Sequence, residues 1–427
     1  MQQVASQNAP SPGMVIPHFI FGALTWMAIT ILIVFFPDAF TQHYFNPKLL
    51  SITHLLVLGW VSMVIFGALY QLIPVIMEVK LYSEKLALGS FVLLASGSVL
   101  LALSFWNFWL GAIMHIAATL LLAAISFFVV NVLVTGSKSS KKTIEKKFIQ
   151  SSVIWLLFTI IAGITLAINL THPFLLPSHL ELLKLHANAG IVGWIIQLII
   201  GVGSRLLPMF LVSHNLNANK LKVAYYLINT GLATSVICLY IQWYPGVIAS
   251  VVLIVIGVIS FLSYLWEAYK KRVKKQLDIG MKQSALSFLM LTIPIALIVL
   301  FLFDPGQLKS FTLPMAIAYG STLLIGFITL LIMGQTYKTL PFIIWLNVYR
   351  NKIGKGKIPF PKELYSENVA SAQLWCFVIG FTFFLTGVFI QKDVVVGSGG
   401  LILLISALLY NYNVWKIVLH KPIFKNE

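Results

Sequence analysis

Twelve stretches of predominantly apolar residues follow one another along the chain, at approximately 16–36, 50–77, 87–105, 107–134, 149–171, 183–212, 222–243, 246–268, 284–303, 312–337, 369–391 and 397–419. Each is about as long as a helix must be to cross a hydrocarbon core of about 30 Å at 1.5 Å per residue. None shows the period-two alternation of a membrane barrel strand, and a helix satisfies its own backbone groups in lipid. The pattern therefore predicts an all-α polytopic membrane protein of twelve spans in a single transmembrane domain, residues 1–427.

Polar positions between the stretches set an orientation. If both termini are cytoplasmic, 25 of the 29 Lys and Arg residues fall on the cytoplasmic side, and only Lys48, Lys184, Lys309 and Lys392 fall outside. Cationic segments resist translocation, so this split predicts a plasma-membrane protein with both ends inside. It also accounts for the formal net charge of +17 without a nucleic acid or other acidic partner. The basic loops are expected to be topology determinants, with contact to anionic membrane lipid a secondary use of that charge. Only 10% of the residues are charged and 59% are apolar, which excludes a disordered chain. Cys238 and Cys376 lie in apolar stretches without CxxC spacing, so neither a zinc site nor a disulfide framework is expected. The stretch MQQVASQNAPSPGM lacks a basic region and a cleavage site, so no signal peptide is expected.

An internal repeat organises the spans. Span 2 reads GWVSMVIFGALYQLIP from Gly59, span 6 GWIIQLIIGVGSRLLP from Gly193 and span 10 GFITLLIMGQTYKTLP from Gly326. They align without a gap, bringing together Gly59, Gly193 and Gly326; Trp60, Trp194 and Phe327; Gly67, Gly201 and Gly334; and Pro74, Pro208 and Pro341. The offsets are 134 and 133 residues, four spans each, which predicts three four-helix units at approximately 1–148, 149–283 and 284–427. Paired glycines eight residues apart suit a helix that a neighbouring backbone or a flat ligand approaches closely. The proline is expected to mark the cytoplasmic end of each helix.

Twelve helices in three groups of four, with special residues on helices 2, 6 and 10, resemble subunit I of the heme-copper oxidase superfamily, which includes nitric oxide reductases. THLLVLGWVSMVIFGALYQLIPV from Thr53 and LHANAGIVGWIIQLIIGVGSRLLPMF from Leu185 look most like the oxidase-subunit-I-like proteins of bacterial genomes, which stand apart from true oxidases. The resemblance implies a divergent member of that fold. It implies heme b bound by His54, which matches the axial ligand on the family's helix 2 within about a turn, and a possible role for copper. It also implies a quinol or cytochrome electron partner, and an oligomer is compatible with it.

Histidine inside a span is costly and marks a functional position, and imidazole ligates both heme iron and copper. His54, His186 and His115 all fall in the outer half of their spans and are the candidate cofactor or metal ligands. A hydrogen bond to a neighbouring backbone carbonyl is the alternative use of each. Gly67 and Gly201 could admit a porphyrin edge and Trp60 and Trp194 could pack on it, the alternative being helix-to-helix packing. His18 is expected to be an interfacial anchor. His43, His172 and His179 are expected in outer loops, and His214 and His420 at the cytoplasmic face.

The departures from the family bear on activity. Spans 7 and 10 contain no histidine, whereas true oxidases carry copper and heme ligands there, so a binuclear oxygen-reducing centre cannot be assembled from these residues. Expected instead is a role in respiratory electron transfer or in the response to nitric oxide, with turnover requiring ligands of another kind. The second reading is a transporter or assembly factor for copper, heme or a small solute. It rests on the outer loop histidines and on Gln71, Arg205 and Lys338, equivalent in the repeat and able to form a polar ring at the inner mouth, or else to anchor the helices at the interface. No Asp or Glu lies in the middle of a span, which removes the usual coupling residue of a proton-driven transporter.

Overall fold

A computed structural model describes residues 10–175, 178–303, 312–350 and 358–422. Asp304, Lys309, Lys352, Lys355, Lys357 and Lys425 lie outside the described residues. Every described regular element is helical, and twelve helices are long and apolar enough to cross a membrane. They are α1 (Pro12–Phe35), α2 (Pro47–Met77), α3 (Glu84–Trp106), α4 (Ala112–Ser137), α5 (Ile144–Thr171), α6 (His179–Leu211), α7 (Asn219–Tyr240), α8 (Tyr244–Lys270), α9 (Ile279–Leu300), α10 (Leu313–Tyr349), α11 (Glu367–Phe389) and α12 (Asp393–Val418). The protein is thus a multi-pass membrane protein, and each helix overlaps a stretch predicted from hydropathy. Local chemistry sets the starts: the side chains of Asn46, Thr143, Ser178, Asp278 and Ser366 each accept the backbone N–H three residues on.

The chain divides into two compact units, one of Leu72–Gly97 and Trp109–Leu277, the other of Pro10–Gln71, Ser98–Phe108 and the residues from Asp278 onward. Within the first unit α5 packs against both α4 and α6, and α7 lies along α8. Within the second, α12 packs against α11 and α1, α1 against α2, and α9 against α10. The most buried spans are α2, α6 and α10, with 56%, 67% and 78% of their most apolar stretch inside the protein, against 22% for α5. These are the three helices that carry the repeated motif.

Each of the three contains a long π-helical segment that hydropathy does not reveal: Leu55–Ser62, Ala189–Ile196 and Thr322–Thr329, eight residues apiece. Their starts are separated by 134 and 133 residues, the offsets of the motif itself. Such i→i+5 geometry is rare and usually limited to a single bulge, often at a functional site. The first motif glycine and the aromatic residue after it fall at the fifth and sixth positions of every segment. In the second unit the first and third segments touch, because the Trp60 indole N–H donates to Thr329 Oγ1 at 3.0 Å. The Thr329 hydroxyl in turn donates to Leu324 O at 2.9 Å within its own wide turn.

The second motif glycine explains how the preceding span packs. A Cβ at Gly67 would lie 2.6 Å from His18 Cβ and 3.3 Å from Val15 O on α1. At Gly201 it would lie 2.8 Å from Phe148 Cβ and 3.3 Å from Glu145 O on α5. At Gly334 it would lie 2.7 Å from Gly280 O and 3.0 Å from Gln283 Cβ on α9. The contacted residues fall in register: His18, Phe148 and Gln283 sit three positions after Val15, Glu145 and Gly280 respectively. The first glycine repeats the pattern one stage further along the same helices, with Gly59 against Thr25, Gly193 against Trp155 and Gly326 against Met290, and against Phe381 of α11 as well.

Buried polar groups clasp the helices beside these contacts. In the first unit Gln197 of α6 and Asn229 of α7 exchange amide hydrogen bonds at 3.0 and 3.3 Å, joined by Ser151 and Trp155 of α5. In the second, Gln283 of α9 donates to Gln373 of α11 at 2.7 Å, and the Gln373 amide reaches Ser406 of α12. Interhelical bonds of this kind contribute about 0.6–2 kcal/mol each in a membrane protein.

Expectation and structure differ at two places. Pro74 and Pro208 lie in the last turns of α2 and α6, three residues before their ends, but α10 continues eight residues past Pro341. Loss of one backbone hydrogen bond near a helix end is tolerated when neighbouring helices enclose it. His18 is no interfacial anchor, since it is wholly buried with its ring edge-on to Tyr70 at 5.8 Å. Lys338 is salt-bridged at 2.7 Å to Asp278, which caps the start of α9.

The Gly334 contact is with backbone, which cannot swing aside. We predict that Gly334→Ala lowers stability by about 1–3 kcal/mol, seen as a lower Tm in detergent, whereas Gly320→Ala, where a Cβ meets nothing within 4 Å, leaves Tm near that of the native protein. A second prediction concerns the chain after α12, where His420 Nε2 pairs with the Tyr349 hydroxyl at 2.8 Å. Desolvation lowers the His420 pKa below its ordinary value, so the folded state resists its protonation. Its contribution is complete above about pH 6.5 and is lost as the pH falls through the lowered value. The Tm of the native protein should therefore drop more between pH 8 and pH 5 than that of His420→Gln.

Candidate functional site: the membrane histidines

His54 is the last α-helical residue before the first π-helical segment, so the ring stands where the helix widens. Its Nδ1 lies 2.8 Å from Leu50 O one turn back, and its ring stacks on Phe105 at 4.8 Å and 26°. A carbonyl oxygen only accepts, so Nδ1 carries the proton and Nε2 carries the lone pair. This is the tautomer of a metal-binding imidazole whose other nitrogen is fixed by a backbone carbonyl. His54 as a whole is half-buried rather than sealed within the helix bundle.

His186 shows the same arrangement with a different carbonyl. It lies on α6, three residues before the second π-helical segment, and its Nδ1 is 3.0 Å from Thr159 O on α5. Gly163 on α5 makes room for it, since a Cβ there would fall 2.9 Å from His186 Cε1. Asn188, which occupies the position equivalent to His54, donates to Ser235 of α7 at 2.9 Å and thereby serves packing. His115 lies in the first turn of α4, and its buried Nε2 has no hydrogen-bond partner among the described residues. An unpaired nitrogen away from water costs about 1–3 kcal/mol, so this atom too is suited to a ligand or a water.

The residues expected to cradle a porphyrin are otherwise engaged. Gly67 and Gly201 receive α1 and α5. Trp60 is fully buried between Trp26, stacked at 6.1 Å, and Tyr410, edge-on at 5.6 Å. Trp194 packs edge-on to Phe128 at 5.7 Å. These four positions pack against neighbouring helices. The described residues gather no three His, Cys, Asp or Glu side chains that could hold a metal ion.

The histidines expected in outer loops bond locally. His43 Nδ1 accepts the Phe45 N–H at 3.1 Å, His172 bonds Thr171, and His179 lies 3.4 Å from the Asn169 amide. Sequence reasoning missed His18 as a buried residue, and no motif signals it. Phe148 and Gln283, which take the same place against the second glycine of α6 and α10, are likewise wholly buried but differ from it in kind. What the geometry offers chemically is therefore two imidazoles, His54 and His186, each held with its proton on Nδ1 and its lone pair on Nε2. Compared with known proteins, the chain matches no protein-family description and no curated protein sequence.

Proposed function

We propose that the chain is a divergent relative of the heme-copper oxidase subunit I superfamily that binds a b-type heme through His54 and takes part in respiratory electron transfer or the nitric oxide response. The observation that carries this reading is the fixed Nδ1–H tautomer of His54 at the mouth of a π-helical segment. The equal spacing of three such segments on the three most buried helices supports the superfamily plan. The fit to heme is a fit of the ligand atom: Nε2 carries the lone pair, and Phe105 and Leu50 O hold the ring.

When bound, heme would supply a one-electron carrier. The protein's own part is to hold the imidazole still, with its Nδ1–H donated to Leu50 O and its ring stacked on Phe105. Hydrogen bonding at Nδ1 also raises the basicity of Nε2 and so its donor strength. Because spans 7 and 10 lack histidine, the reading includes no binuclear oxygen-reducing centre. The charge distribution supports a bacterial plasma membrane location with both termini cytoplasmic, and in that orientation His54, His115 and His186 lie in the outer half of the bilayer.

The test is a reduced-minus-oxidised spectrum with pyridine hemochrome on protein purified after expression with heme supplied. Expected is about one b-type heme per chain, falling to a small fraction in His54→Ala and persisting in His43→Ala. Protein that is folded, monodisperse and free of heme under these conditions would overturn the reading and favour the transporter or assembly-factor class.

A further inference from the structure

Where α8 ends, the segment Tyr269 to Lys275 reads YKKRVKK, five cations in seven residues. It is fastened rather than loose: the Val273 N–H donates to Val212 O at 3.4 Å and the Lys274 N–H to Leu211 O at 3.3 Å, pinning it to the end of α6. Lys271 Nζ donates to Asn215 O, which ties the same corner. The carboxylate of α8 at this corner, Glu267, is occupied on both oxygens, by Lys220 at 3.0 Å and Lys271 at 2.8 Å. Lys270, Arg272 and Lys275 are paired with no carboxylate among the described residues.

Two of these cations are held on aromatic rings. Trp266 and Tyr269 stack at 5.7 Å and 15°. Lys270 Nζ sits 5.2 Å from the Trp266 centroid and the Arg272 guanidinium 3.8 Å from that of Tyr269. Arg272 Nη1 donates to Tyr269 O, while its Nε is shielded from solvent without an acceptor among the described residues. Beside these charges lie large apolar side chains open to the surroundings: Trp266 is 58% exposed, Val273 66%, Met209 54% and Val212 42%. An exposed tryptophan and valine beside preordered cations are poorly suited to water and well suited to the boundary between acyl chains and headgroups.

The basic loop before α5 differs. Lys138 lies over Tyr82, Lys141 pairs with Glu78, and Lys146 donates to Ser139 O. Two of its cations, Lys141 and Lys146, are bound to acceptors within the protein, and its ring-held cation Lys138 has no tryptophan beneath it.

We propose that the corner formed by Trp266 and Tyr269 to Lys275 against the end of α6 binds an anionic phospholipid. The headgroup phosphate lies among Lys270, Arg272 and Lys275, and the acyl chains run along Trp266, Val273 and Met209. The ligand class follows from charge complementarity together with the apolar side of the same patch, since a free phosphate needs only the first. Each cation near an anionic headgroup contributes about a fivefold change in binding at moderate salt.

The experiment uses the full-length protein, delipidated in detergent and titrated with phosphatidylglycerol, phosphatidylcholine or inorganic phosphate. Retained lipid is counted by native mass spectrometry and Tm is followed in parallel. Expected are retention of phosphatidylglycerol over phosphatidylcholine, a rise in Tm with the former alone, and about thirtyfold weaker binding in Lys270→Gln/Lys275→Gln. Both lysines are exposed, and Lys141→Gln/Lys142→Gln, which removes the same charge elsewhere, should lose less than about fivefold. Equal retention of the two lipids, an equal loss in both double variants, or displacement by millimolar phosphate would each overturn the proposal.

Discussion

The approach of one helix backbone to another at Gly67, Gly201 and Gly334 is the constraint on which the arrangement depends. At each of these positions a backbone carbonyl of the preceding span crowds the place a side chain would otherwise take. In lipid there is no hydrophobic force between helices, so close packing and a few interhelical hydrogen bonds must hold them. The polar clasps occur where that approach brings amides within reach: Gln197 and Asn229 in one unit, Gln283, Gln373 and Ser406 in the other.

The wide turns follow from the same region. In each of α2, α6 and α10 the π-helical segment lies directly before the stretch bearing the second glycine, and it places an aromatic residue inward: Trp60, Trp194 or Phe327, all buried. In the second unit this lets Trp60 reach Thr329 of α10. It also sets His54 at the edge of a widened turn, where its Nδ1 still bonds one turn back. A packing device thus precedes any function here, and the Nδ1 proton of the imidazole is held by a backbone atom of its own helix.

The spans were legible in the sequence because hydropathy over about twenty residues reports burial in lipid directly. The repeat was legible because glycine, aromatic residue and proline mark the same places three times. Their use was only half legible. A glycine column announces a close neighbour without saying whether it is a helix or a flat ligand, and at Gly67 and Gly201 it is a helix. The π-helical segments carry no composition of their own, being apolar like their surroundings. The register of α1, α5 and α9 was hidden because the contacting residues differ in kind: His18, Phe148 and Gln283 share a place, and no side-chain property.

Ligation by His54 depends on one proton. Nitrogen-15 spectra of histidine-labelled protein, with His54→Ala used to assign the signal, report which imidazole nitrogen is protonated. A neutral His54 is expected, with its proton on Nδ1 and with Nε2 unprotonated, or shifted further by a bound metal. A signal showing the proton on Nε2 would contradict this, since that atom could then ligate nothing.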